Sequence, residues 1–357
     1  MTLLHKLWER GWQPADVAHV VRRSAGQRVI RLAVALVAES ARVVNAEMRA
    51  PEDWLAQLAA LGALSSPGPS VVALWRLAER LPAVDAWRDV LRLFASLTGL
   101  GVLQHLSPPP SRWGTHRTPP RRAAPTVEAR VLGRIRGLLA KAESTEFPEE
   151  AEALSAKAQE LMTRHAVDAA VLDAEHGTSV TDQVVARRVH IDSPYPDAKL
   201  HLLHGVGEVN GVRVIWLDRL GIATTVGLPA DLDAVDLLFT SLLVQATRAM
   251  TTIGRVRVGS TRSPAFRRAF LTSYGIRVGE RLSQARENVT EEASRNSGTD
   301  LVPALRARNE AVDDVFAQMF PDTRAMRSRG FDARGWYAGQ LAADGADIGS
   351  GREQVSR

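Results

Sequence analysis

The chain has 357 residues, too many for one ordinary core, so two or three domains are expected. A hydrophobic share of 45% marks a globular protein, and the absence of cysteine excludes disulfide scaffolds, thiolate nucleophiles and Cys-ligated zinc or iron–sulfur centres. The formal charge is +5, but it is uneven: residues 1–126 carry 16 Lys/Arg against 9 Asp/Glu, and the remainder carries 29 against 31. Basicity therefore belongs to the front of the chain and to one later helix. Nearly all of it is arginine, since only Lys6, Lys141, Lys157 and Lys199 are lysines. The first residues, MTLLHKLWERGW, lack the apolar core of a signal peptide. The longest apolar run, Val29 to Ala38, is broken by Arg31 and is about half of the roughly 20 residues a bilayer span needs. A soluble cytoplasmic protein with no membrane association is expected.

From 1 to 106 the apolar residues recur at three and four: Val17, Val20, Val21; Val29, Leu32, Leu36, Val37; Leu74, Leu77, Leu81; Trp87, Val90, Leu91, Phe94. Breaks at Gly26, Pro51 and the Ser65–Pro69 cluster divide this into four or five helices of an α-helical domain. Residues 107–125 are rich in proline and arginine. Proline fixes φ and removes donors, so this stretch reads as an extended linker, with docking of its Pro-Pro-Arg run in an SH3-like groove as the lesser reading.

Residues 126–176 predict a helical hairpin. Leu132, Ile135, Leu138, Leu139 and Ala142 form an apolar stripe on its first helix. Pro148-Glu149-Glu150 opens the second, whose stripe is Ala151, Leu154, Ala158, Leu161 and Met162. His165 is expected at the end of that second helix, where the dipole favours it; a general base is the weaker alternative. Three stretches here, Ile135 to Ala142, Glu150-Ala151-Glu152-Ala153, and Ala158-Gln159-Glu160-Leu161-Met162-Thr163-Arg164-His165, resemble in order the pattern of the domain-of-unknown-function family numbered 2786, over residues 127–173. Arg134 stands where that family often has lysine. The resemblance implies a helical hairpin and does not indicate an activity. Residues from about 180 onward resemble the uncharacterised α+β segment that often follows it.

Residues 180–348 read as an α+β domain: a strand over 184–191, a helix over 197–209, a hairpin of 212–217 and 222–227, a strong helix over 231–250, and helices over 264–292 and 302–319. Trp336 to Asp347 closes it, and residues 349–357 read as a disordered tail. The expected fold is thus multi-domain: an α-helical N-terminal bundle, a helical hairpin, then a small antiparallel sheet covered by helices.

Two constellations carry chemistry. His201, His204 and Glu208 share one helical face and could converge on a metal; ordinary surface histidines are the competing reading, because the H-x-x-H spacing is common. On the helix near 265–286, Phe266, Phe270, Tyr274, Arg277 and Arg281 fall in one arc, with Arg267 and Arg268 beside it and Arg255, Arg257 and Arg262 before it. Arg267, Arg277 and Arg281 on phosphates with Tyr274 against a base is one reading; aromatics in the core with snorkelling arginines is the other. Gly205-Val206-Gly207 has no phosphate-loop context, and no P-loop, nucleophile elbow or EF-hand is present. A binding module for nucleic acid or another protein, of regulatory or mobile-element type and without a cofactor, is the leading expectation. A metal-dependent hydrolase using His201, His204 and Glu208 is the alternative.

Overall fold

The computed structural model describes residues 2–66, 68–115, 127–145, 147–176, 179–256, 263–297, 301–323 and 338–343. It is mostly helical, with one small three-stranded antiparallel sheet. The chain divides into two compact units, one of residues 1–122 with 219–222, the other of 123–218 with 223–357.

Seven helices of unit 1 are described: α1 (Thr2–Trp8), α2 (Pro14–Ser24), α3 (Gln27–Val43), α4 (Ala46–Arg49), α5 (Glu52–Ala60), α6 (Val71–Ala78) and α7 (Ala83–Thr98). That exceeds the four or five expected, because single turns such as α4 are too short to show a helical period. Asp16 accepts from the Gln13 backbone N–H at 2.8 Å, an N-terminal cap that starts α2. The core is rich in tryptophan. Trp8 and Trp113 each meet Trp54 edge to face, with centroids 5.4 and 5.2 Å apart, and the Trp8 indole donates to Ser40 at 2.9 Å.

The expected linker divides. Residues 107–115 pack against the helices: Trp113 is buried, its indole donates to the Pro108 carbonyl at 2.8 Å, and Ser111 donates to the Glu9 carboxylate at 2.6 Å. Residues 116–126 lie outside the described residues, as does the expected tail at 349–357.

Unit 2 opens with α8 (Val127–Ser144) and α9 (Pro148–His176). Strand β1 (Val185–His190), α10 (Pro196–Val209), β2 (Arg213–Leu217), β3 (Ile222–Gly227), α11 (Pro229–Val256), α12 (Pro264–Ser297) and α13 (Val302–Met319) follow, and residues 338–343 are helical. The sheet order is β1-β3-β2. The uncharged sequence of β3 suits its central place, and every residue of it is buried. Ile135, Leu139, Ala158 and Met162 of the hairpin share one core with Leu203 and Val206 of α10, Leu238 of α11 and Phe270 of α12.

Helix α10 crosses α12 at close range. A Cβ on Gly205 would lie 3.2 Å from the Gly279 Cα, and one on Gly275 would lie 2.7 Å from the Leu202 nitrogen. Gly205, which offers no phosphate loop, is here the floor of a helix–helix contact, and Gly207 packs against Val212 and Val214. No described helix is long and apolar enough to cross a membrane.

Candidate functional site

On α12 the aromatic residues turn inward. Phe266, Phe270 and Tyr274 are buried and stack in sequence, with centroids 6.4 and 6.2 Å apart. The Tyr274 ring therefore has no face open to a base, which corrects the expectation that it stacks on one. Burial also pushes its phenol above the ordinary range, against a weaker pull from Arg281. The neighbouring arginines are committed within the unit. Arg268 pairs with Asp197, Arg277 pairs with Glu280 at 2.7 Å, Arg281 donates to the Ala343 carbonyl and Arg286 to the Val209 carbonyl. Arg267 is exposed. Arg257 and Arg262 lie outside the described residues, and so does the side chain of Arg255. An arginine at the edge of an apolar face lays its stem on that face and turns its head to the nearest carbonyl or carboxylate. Arg281 and Arg286 do so, which leaves them unsuited to a phosphate.

His201, His204 and Glu208 lie along α10 without converging. His201 is half-buried, and that burial opposes its protonation, with Asp197 favouring it and His204 opposing it. His204 and Glu208 are exposed and 3.7 Å apart. Among the described residues no three His, Cys, Asp or Glu side chains form a group that could hold a metal ion. The described residues therefore do not assemble the expected three-ligand set: a shared helical face sets direction, but binding needs convergence.

His165 is not at a helix end, because α9 continues to His176. It lines a small cavity with Asn210 and Asp231. Burial raises the Asp231 carboxyl above the usual range, while Arg308, Arg286 and His165 draw it back. Arg308 lies 2.6 Å from Asp173 and 3.7 Å from Asp231, tying α9, α11 and α13 together. Beside this knot Gln159 and Asn210 exchange amide hydrogen bonds at 3.0 and 3.3 Å, and both are buried. The pairings of Gln159, Asn210, Asp173, Asp231 and Arg308 fix the geometry of this cluster. Its members are too far apart in sequence to be read as a group.

An open groove of about 820 Å³ runs between α12 and α13, with Glu208, Glu287 and Glu291 facing Arg286, Arg295 and Arg306. Mixed signs on its walls select no single charge in a ligand.

The outer side of α8 is different. At about 100° per residue, Arg130, Gly133, Arg134, Arg136, Gly137, Ala140 and Lys141 fall within roughly 160° of the helix circumference, and all are exposed. The acids of α8, Glu128 and Glu143, lie outside that arc. Among the described residues Arg130, Arg134 and Arg136 have no ion-pair or hydrogen-bonding partner for their side chains, while Lys141 meets Glu150 at 2.7 Å. A Cβ on Gly133 or Gly137 would meet nothing within 4 Å. Arginines thus stand on both rims of a shallow strip of small residues. The signal is present in sequence as Arg-x3-Arg-x-Arg with Gly133 inside it and Gly137 just after it, on the face opposite the apolar stripe.

These features define a two-unit, mainly helical protein with a basic, glycine-bearing helix on the face of its hairpin. Residues 130–169, which hold that hairpin, match the family model described as a protein of unknown function, DUF2786. No curated protein and no solved structure matches the chain.

Proposed function

We propose that the protein is a non-catalytic nucleic-acid-binding module whose contact face is the outer side of α8. One observation carries this reading: Arg130, Arg134 and Arg136 are exposed, without partners among the described residues, around a strip made smooth by Gly133, Gly137 and Ala140. Free guanidinium groups are the residue of choice for phosphate oxygens. Side chains absent between them let a sugar–phosphate ridge approach the helix backbone. A cysteine-free chain suits the reducing cytoplasm, where nucleic acid is at hand. Contacts of this kind position a duplex or strand without reading its sequence.

Fluorescence anisotropy with single- and double-stranded oligonucleotides, across a salt series, tests the proposal. Affinity of the wild type should fall linearly in log–log form with salt. The variant carrying Arg130→Gln, Arg134→Gln and Arg136→Gln should lose about 2–3 units of that slope, near 0.7–0.9 per contact. A variant carrying Arg267→Gln and Arg277→Gln on α12 should keep the wild-type slope. No binding by the wild type at low salt, or an unchanged slope in the α8 variant, overturns the reading.

A further inference from the structure

Helix α8 is a ridge. With Arg130 set at zero and each residue adding about 100°, its buried and half-buried positions run from Leu138 at about 80° through Ile135 to Leu132 at about 200°. Gly137, Gly133 and Ala140 fall at about 340°, 300° and 280°, so the crest of small residues points away from the core. Arg130, Lys141 and Arg134 stand at about 0°, 20° and 40°, and Arg136 stands at about 240°. Two basic rims, about 140° apart, thus flank the crest. Resting on the assignment of α8 as the contact face, we propose that its ligand is duplex DNA in the B form, with α8 laid in the major groove and one basic rim against each strand.

The shape of the ridge selects this ligand. The B-form major groove is about 12 Å wide and admits one α-helix. A helix with its side chains is about 10–12 Å across, and a crest of glycine and alanine lies below that outline, so it can sink toward the groove floor. The rims on its flanks then meet the phosphates of both walls. Duplex RNA offers no such seat, because its A-form major groove is deep and narrow and its minor groove is shallow. Single strands are held on aromatic side chains as well as on charge, and α8 has no aromatic residue. The crest carries no side-chain donor or acceptor, so no base edge is read. Contact is centred on Arg130 to Arg136, which span about 9 Å, close to three base-pair steps of about 3.4 Å. Beyond them the charge fades: Lys141 shares its charge with Glu150 at 2.7 Å. Glu143 stands at about 220°, about 10 Å past Arg136 along the same rim.

Anisotropy of the full chain at low salt is read with a labelled DNA duplex, the RNA duplex of the same sequence and the single DNA strand. The DNA duplex should bind about ten-fold more tightly than either of the others. Glucosylated 5-hydroxymethylcytosine on both strands fills the major groove and should weaken binding about ten-fold, whereas netropsin in the minor groove should leave it intact. Gly137→Leu raises the crest in a place where a Cβ meets nothing within 4 Å. That variant should keep its circular dichroism spectrum and lose about ten-fold in affinity for the DNA duplex. An RNA duplex or single strand bound as tightly as the DNA duplex, glucosylation without effect, or displacement by netropsin overturns the proposal. In each of those cases a reduced salt slope in the Arg130, Arg134 and Arg136 variant would still keep α8 as the contact face. An unchanged slope in that variant, or no binding by the wild type, overturns the contact face and the groove together.

Discussion

Glycine in the middle of an exposed helix costs about 1 kcal/mol relative to alanine. At Gly133 and Gly137 no neighbour offsets that cost, since a Cβ at either place meets nothing within 4 Å. Alanine at each position should raise stability by about 0.5–1 kcal/mol, read as a higher urea midpoint at unchanged m. Under the proposed function the same two methyl groups stand where the phosphate ridge approaches. The double variant Gly133→Ala/Gly137→Ala should therefore melt higher and bind oligonucleotide several-fold more weakly. Higher stability with unchanged binding would remove close backbone approach from the proposal. Glu39 shows a different residue-scale logic. Hydrogen bonds from Arg42 and then Ser66 hold its carboxyl down, from 4.5 to about 2. Its contribution to stability is present above pH 4.5 and is lost as pH falls toward 2. At this scale the sequence was informative about residue type and poor about partner. Tyr274 and Arg281 share an arc with Phe270, as the period implies, but only the fold shows that the aromatic part of the arc is core. Ala343, which supplies the carbonyl for Arg281, is 62 residues away.

Among elements, the crossing of α10 and α12 is the most exacting contact. Gly275 sits so near Leu202 that a methyl group would lie 2.9 Å from its Cα, and backbone cannot step aside as a flexible side chain can. Gly275→Ala should cost at least about 1–3 kcal/mol, the range for overpacking, and the loss should appear as a lower denaturation midpoint. Gly137→Ala is the matched control, a helical glycine with open space around it. Equal effects at the two positions would mean that the helices do not approach closely. Helix existence was legible throughout unit 2: α10, β2 and β3 fall within about one residue of their expected bounds. Which face of a helix is core was less so. On α7 the residues Trp87, Leu91 and Phe94 were read as a packing stripe, yet the buried side is Ala86, Asp89, Leu93 and Leu97. Asp89 explains the error. A carboxylate on the core face breaks the apolar period there, and Arg28 and Arg92, each at 3.1 Å, neutralise it only in the folded state.

For the whole molecule, length alone pointed to more than one core, and the chain does separate into two units. The proline-rich stretch was a coarser guide. Prolines exclude helix and central strand, but they do not exclude docking, and Trp113 within that stretch supplies the apolar surface that fixes residues 107–115 to unit 1. A cleavage meant to separate the units therefore belongs after residue 115. Fragments 1–115 and 127–357 should each fold, because each contains its own buried core. Each should unfold in one cooperative transition by circular dichroism, with protected amides in hydrogen exchange. The fragments also separate the proposed binding face from the front of the chain. Fragment 127–357 carries α8, so it should keep the salt-dependent binding of oligonucleotides. Binding that follows fragment 1–115 instead would move the nucleic-acid face to the unit holding the net positive charge of residues 1–126. An unfolded 127–357 would mean that the hairpin and the sheet need the front of the chain, and the division into two independent units would be wrong.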